Sequence, residues 1–136
     1  MRRLVEEPEL AAYGTALGRG LARGEVVWLS GEMGSGKTTL VKAIAKGLGV
    51  ESEATSPTYG MVHRYQGRRG PVLHVDCYRL RTTDEARDLD WEGLSQADAL
   101  LVEWPERAGA WALPPTRRIR LAHDADPDRR WLEVDP

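Results

Sequence analysis

Glu25-Val-Val-Trp-Leu-Ser30 runs directly into Gly31-Glu-Met-Gly-Ser-Gly36-Lys37-Thr38, and these fourteen residues decide the fold. The first six are a short, mostly apolar run, as expected of a strand buried inside a parallel sheet. The next eight match G-x-x-x-x-G-K-[ST]. Glycines allow backbone conformations that side chains block, so successive N–H groups can turn onto phosphate oxygens. A helix beginning near Lys37 would aim the positive end of its dipole at the same place. Lys37 adds a full charge for the β/γ-phosphates, and the Thr38 hydroxyl suits Mg²⁺. The bland alternative is a Gly-rich strand-to-helix turn that binds nothing. A strand running in and a helix running out favour a nucleoside triphosphate site with Mg²⁺, ATP in particular.

The flanking segments extend this unit. Upstream, Leu10, Tyr13, Leu17 and Leu21 fall three or four apart, one face of a helix with Pro8 in its first turn and Gly24 as its stop. Downstream, Leu40, Val41, Ile44, Ala45 and Leu48 share a helical face that ends at Gly49. Tyr59 to Tyr65 and Pro71 to Tyr78 flank Gly67-Arg-Arg-Gly70 and predict a β-hairpin. Thr82 to Ala97 is polar and acidic, which suits one or two short helices. Ala99 to Glu103 is a second buried strand. Pro105, Pro114 and Pro115 punctuate a loop. Arg117 to Ala122 and Arg130 to Val134 predict a last hairpin turning at Asp126-Pro127-Asp128. This order implies one α/β domain over residues 1–136, a three-layer P-loop NTPase-like fold with a mixed, partly antiparallel sheet.

Composition narrows the function. The chain has 136 residues, 41% of them apolar and 29% charged, with a net charge of −2, so the global balance does not suggest a polyanion binder. One cysteine, Cys77, allows no disulfide framework and suits a reducing compartment. The N-terminus turns acidic at once, without the apolar core of a signal peptide, and no apolar run approaches the ~20 residues of a membrane span. The expected location is the cytoplasm.

Hydrolysis needs acids beside the phosphates. Asp76 ends the run Val72-Leu-His-Val75, and Glu103 ends Leu100-Leu-Val102. Both would emerge at C-terminal strand edges, where ligand sites of open α/β sheets lie. One can serve the metal and the other the attacking water; alternatively each is a solvated residue at a strand end. Thr55-Ser-Pro-Thr-Tyr59 has the hydroxyls and the rigid proline of a loop that senses a γ-phosphate, or of an ordinary turn. Asp90-Trp-Glu-Gly93 has the D-x-x-G form of a GTPase switch but lies in a polar helical stretch, and no Asn-Lys-x-Asp guanine-reading motif occurs. His63, His74 and His123 lack metal-ligand spacing and read as structural, and Cys77 reads as a small buried hydrophobe.

Taken together, Gly31-Glu-Met-Gly-Ser-Gly-Lys-Thr-Thr-Leu40, Thr55-Ser-Pro-Thr-Tyr59, His74-Val-Asp-Cys-Tyr-Arg-Leu80 and Leu101-Val-Glu-Trp-Pro105 resemble the bacterial TsaE (YjeE) family in order and spacing. The resemblance implies the P-loop ATPase of tRNA threonylcarbamoyladenosine biosynthesis, weak alone and activated by a TsaB–TsaD complex that modifies adenosine 37 of tRNA. It implies that Gly31, Met33, Gly34, Ser35, Gly36, Lys37, Thr38 and Thr39 bind the nucleotide, and that Thr38, Asp76 and Glu103 hold Mg²⁺. Glu103, Asp76 and Lys37 would be catalytic. Ser56, Pro57, Thr58 and Tyr59 would form a switch-like loop, and Trp104 would couple the site to a partner. An arginine of the last hairpin would approach the nucleotide, with Arg129 as the best match. Contact with tRNA would be indirect. The competing readings are a small P-loop metabolite kinase, for which only Thr82 to Ala97 could serve as a lid, and a nucleotide-gated binding module without useful hydrolysis.

Overall fold

A computed structural model of the chain describes residues 1–51 and 61–135. Its strands are β1 (Arg2–Glu6), β2 (Glu25–Ser30), β3 (Val62–Gln66), β4 (Pro71–Asp76), β5 (Ala99–Glu103), β6 (Arg117–His123) and β7 (Arg129–Val134). They form one sheet in the order β1-β7-β6-β2-β5-β4-β3. Strand β2 lies between β5 and β6, parallel to both, and β4 extends the parallel run beyond β5. At one edge β3 turns back antiparallel on β4; at the other, β7 and β1 add antiparallel strands. The mixed sheet follows from connection length. The tight turns before β4 and β7 permit only antiparallel return, whereas β2 reaches its neighbours through helical crossovers.

Helices α1 (Glu7–Gly20) and α2 (Lys37–Gly47) cover one face. Leu10, Leu40 and Ile44 are fully buried there against Val27, Leu101 and Leu132. Each such side chain contributes about 1.5–3 kcal/mol over exposure, against ~0–1 for an exposed ion pair. Apolar burial therefore holds this layer. The helical face expected from Leu10, Tyr13, Leu17 and Leu21 is present, but the approach to α2 runs through Gly14 and Gly18. A Cβ on Gly18 would lie 2.2 Å from the Ile44 carbonyl oxygen, and one on Gly47 would lie 2.2 Å from that of Thr15. The two backbones approach so closely that only hydrogen fits at these positions.

The opposite face is covered over β2, β4 and β5 by a 3₁₀ turn at Thr83–Asp88, the short helices α3 (Trp91–Leu94) and α4 (Pro105–Ala108), and a 3₁₀ turn at Gly109–Trp111. Helices therefore lie on both faces of a mixed sheet, the expected three-layer arrangement. Ala86, Trp91 and Leu94 anchor the acidic stretch, and the Trp91 indole donates to the Ala86 carbonyl at 2.8 Å. Asp90 is the N-cap of α3, its carboxylate accepting from Gly93 N–H at 2.9 Å, so the D-x-x-G tetrapeptide is a helix cap.

Two sequence expectations change. Strand β1 was not foreseen: three of its five residues are charged, only Val5 is buried, and the pairing comes from β7. Pro105, expected in a loop, opens α4, where a missing N–H costs nothing.

Candidate nucleotide-binding site

Strand β2 ends at Ser30 and α2 begins at Lys37, so the glycine loop spans a strand end and a helix start. Gly36 is the N-cap of α2, with φ 107°, a left-handed conformation that other residues resist. At Gly31, φ is 149° and a Cβ would lie 2.5 Å from the Leu121 carbonyl oxygen, so any side chain would push the loop off the sheet. His123 at the end of β6 fastens the loop from the side, its Nε2 donating to the Met33 carbonyl at 2.9 Å.

Beside the loop lies a cleft of about 400 Å³, within the ~300–1,000 Å³ typical of small-molecule sites. Met33, Gly34, Gly36, Lys37, Thr38 and Thr39 form its loop side. Asp76, Tyr78, Glu103, Trp104 and Arg130 complete its lining. Gly31 lines the adjoining recess, and Ser35 is buried beneath the loop. A recess of about 460 Å³ between Trp28 and Arg118 contains neither the glycine loop nor the Asp76–Glu103 pair.

Lys37 is largely buried and donates to the carbonyls of Gly31 and Glu32. Its ammonium lies 4.2 Å from the centre of the Trp104 ring. Burial lowers its pKa from the ordinary lysine value, while the charges of Glu103, Asp76, Glu106 and Glu32 act in the opposite direction. Trp104 holds φ 56° and ψ 47°, a left-handed conformation that costs a non-glycine residue free energy. This backbone turn, sited between Glu103 and α4, lays the indole against both Lys37 and the Tyr78 ring.

Asp76 and Glu103 end adjacent parallel strands in register and join Thr38 in the cleft. Two carboxylates and a hydroxyl beside a glycine loop of this form suit Mg²⁺, which takes few protein ligands and keeps phosphate and water oxygens. Among the described residues, no cluster of three or more His, Cys, Asp or Glu could hold a metal alone. Asp76 also accepts from Tyr78 N–H at 3.0 Å.

The family model described as "Threonylcarbamoyl adenosine biosynthesis protein TsaE" matches residues 4–131. The chain belongs to the TsaE family. It is 45% identical over 97 residues to the tRNA threonylcarbamoyladenosine biosynthesis protein TsaE of Streptomyces coelicolor, covering 66% of each chain. Identity to the Treponema pallidum protein of the same name is 37% over 122 residues, covering 89% of this chain and 90% of that one. The crystal structure of Bacillus subtilis YdiB superposes with a TM-score of 0.77 at 25% identity, over 97% of this chain and 82% of the other.

Within this TsaE-family chain the expected residues do not all meet. Ser56, Pro57, Thr58 and Tyr59 lie outside the described residues. Arg129 is exposed and faces Glu6 and Asp126, at 3.8 and 3.7 Å. Its neighbour Arg130 enters the cleft, Nη1 lying 3.4 Å from the Ser35 carbonyl oxygen. The signal for this was the alternation of β7: Arg130 stands two residues before the fully buried Leu132, hence on the α2 side of the sheet. His74, read as structural, touches Glu103. Among the described residues no helix is long and apolar enough to cross a membrane.

Proposed function

We propose that this TsaE-family chain is the ATP-hydrolysing component of tRNA threonylcarbamoyladenosine biosynthesis, working in the cytoplasm with a TsaB–TsaD complex. One observation carries the reading: the loop Gly31 to Thr38, the paired acids Asp76 and Glu103, and Lys37 meet in one cleft. The loop N–H groups and the α2 N-terminus receive the phosphates. Lys37 exchanges its carbonyl partners for the β/γ-phosphates. The Thr38 hydroxyl and the Asp76 carboxylate hold Mg²⁺, which supplies charge neutralisation on the phosphates when bound. Glu103 orients or deprotonates the attacking water, and Arg130 takes the role expected of Arg129. The partner complex completes the site, and tRNA contact is indirect. The kinase reading loses its lid, because Thr82 to Ala97 is pinned to the sheet by Ala86, Trp91 and Leu94.

The test is multiple-turnover threonylcarbamoylation of tRNA by the purified TsaB–TsaD pair, with wild type or Lys37→Ala. The expected outcome is turnover that requires wild type and is lost with the variant, which no longer binds ATP. Equal turnover without this protein would reject the role, and a screen for phosphorylated metabolites would follow.

A further inference from the structure

A row of polar side chains crosses the sheet behind the acids. His63 on β3 and His74 on β4 are register partners, their rings stacked 5.3 Å apart at 23°. Across the next strand, His74 Nε2 lies 2.9 Å from Glu103 Oε2. Both side chains of this pair are nearly closed off from solvent, at 11% and 8% exposure. His74 Nδ1 is buried without a partner among the described residues. One bond and one stacking contact therefore set the orientation of the ring. An ionised carboxylate only accepts, so in this bond Nε2 carries the proton and donates it to Glu103 Oε2.

We propose that His74 is a positioning residue: it holds one oxygen of Glu103 and thereby aims the other into the cleft. This rests on the reading of that cleft as an ATP-hydrolysing site. The core does not need the pair. Val72 and Leu101, on the same face of the sheet, already bury apolar surface beside it, and a buried ion or hydrogen-bonded pair replaced by apolar residues of like volume is often neutral or stabilising. What the pair supplies is geometry. Glutamate is a long, rotamer-rich side chain, and a carboxylate that must meet a water molecule in line with a phosphate works only when its position is fixed. The strand already fixes the Cα of Glu103, and His74 fixes its carboxylate.

The experiment measures ATP turnover in the presence of the partner complex, together with Mg²⁺·ATP affinity from displacement of a fluorescent ATP analogue. His74→Phe keeps the ring volume and the stack on His63 but removes the donor; His74→Gln restores an N–H at similar reach. His74→Phe is expected to lower kcat about 10–100-fold, the scale of a misplaced catalytic group, with KM and affinity for Mg²⁺·ATP held within about threefold. His74→Gln is expected to recover most of that loss. Unchanged kcat in His74→Phe, or equal losses in both variants, would overturn the proposal. Glu103→Gln separates the two levels of inference. If it is inactive, the His74 variants decide alone. If it turns over like wild type, Glu103 is not the group that meets the water and the positioning role fails, while loss of turnover in Lys37→Ala still supports the hydrolytic reading.

Discussion

Asp76 and Glu103 are register partners on the parallel strands β4 and β5, so their side chains leave the sheet on the same face. Parallel neighbours lie about 4.8 Å apart, so two carboxylates side by side repel unless a cation sits between or beside them.

That relationship predicts a division of labour. Asp76→Asn is expected to weaken Mg²⁺-dependent ATP binding by tenfold or more, about 1.4 kcal/mol, while binding in EDTA stays as in wild type. Glu103→Gln is expected to bind Mg²⁺·ATP and to lose partner-stimulated turnover. Nucleotide titrations with and without Mg²⁺, followed by single-turnover hydrolysis, check both. Full turnover in Glu103→Gln would move the role of base to Asp76.

The two arginines of the last hairpin give a paired test. Arg130 reaches the loop, whereas Arg129 pairs at the surface with Glu6 and Asp126. Arg130→Ala is expected to reduce ATP affinity or turnover about tenfold, since a charge-assisted contact is worth about 1.5–3 kcal/mol. Arg129→Ala is expected to stay within about twofold, because exposed ion pairs contribute little. The reverse order of effects in a kcat and KM comparison would restore Arg129 as the nucleotide arginine.

The α1–α2 contact predicts opposite effects for two glycines of one helix. A Cβ on Gly18 would meet the Ile44 carbonyl oxygen at 2.2 Å, whereas one on Gly20 would meet nothing within 4 Å. Gly18→Ala is expected to destabilise the fold by about 1–3 kcal/mol or more. Gly20→Ala is expected to be neutral or to stabilise by about 0.4–1 kcal/mol through the unfolded chain. Urea denaturation of both variants measures this, and equal stabilities would contradict the close packing.

Cys77 predicts an alkaline limb. Burial, reinforced by the charges of Asp76 and Glu106, pushes its thiol from 9.0 up to about 12. Between those values the unfolded chain releases a proton that the folded chain retains, so stability falls as pH rises through that window. Burial also raises the Tyr13 hydroxyl, in the same direction, while the lowered Lys37 opposes them. Cys77→Ala is expected to lose less stability than wild type between pH 8 and 10.5, by denaturation at each pH. The native thiol is also expected to resist a thiol reagent until urea is added.

Much of this was legible in sequence because it was local. The glycine loop, its strand and its helix are contiguous, so the residue types alone forced their conformations. Asp76 and Glu103 were found because each terminates an apolar run, and a run's end is a strand's edge. What stayed hidden depended on neighbours distant in the chain. Strand β1 has little β character of its own and exists because β7 offers an edge. Gly14 and Gly18 gave no apolar signal, yet they set how near α1 comes to α2.

The sequence by itself determined that a glycine-rich loop joins a buried strand to a helix, and that two acids end strands, because backbone conformation and hydrophobic pattern are properties of short segments. Only the tertiary structure decided that Arg130 enters the cleft while Arg129 faces outward, that His74 rests on Glu103, and that Trp104 turns onto Lys37. Strand register and sheet order set those contacts, and both arise from packing across the whole chain.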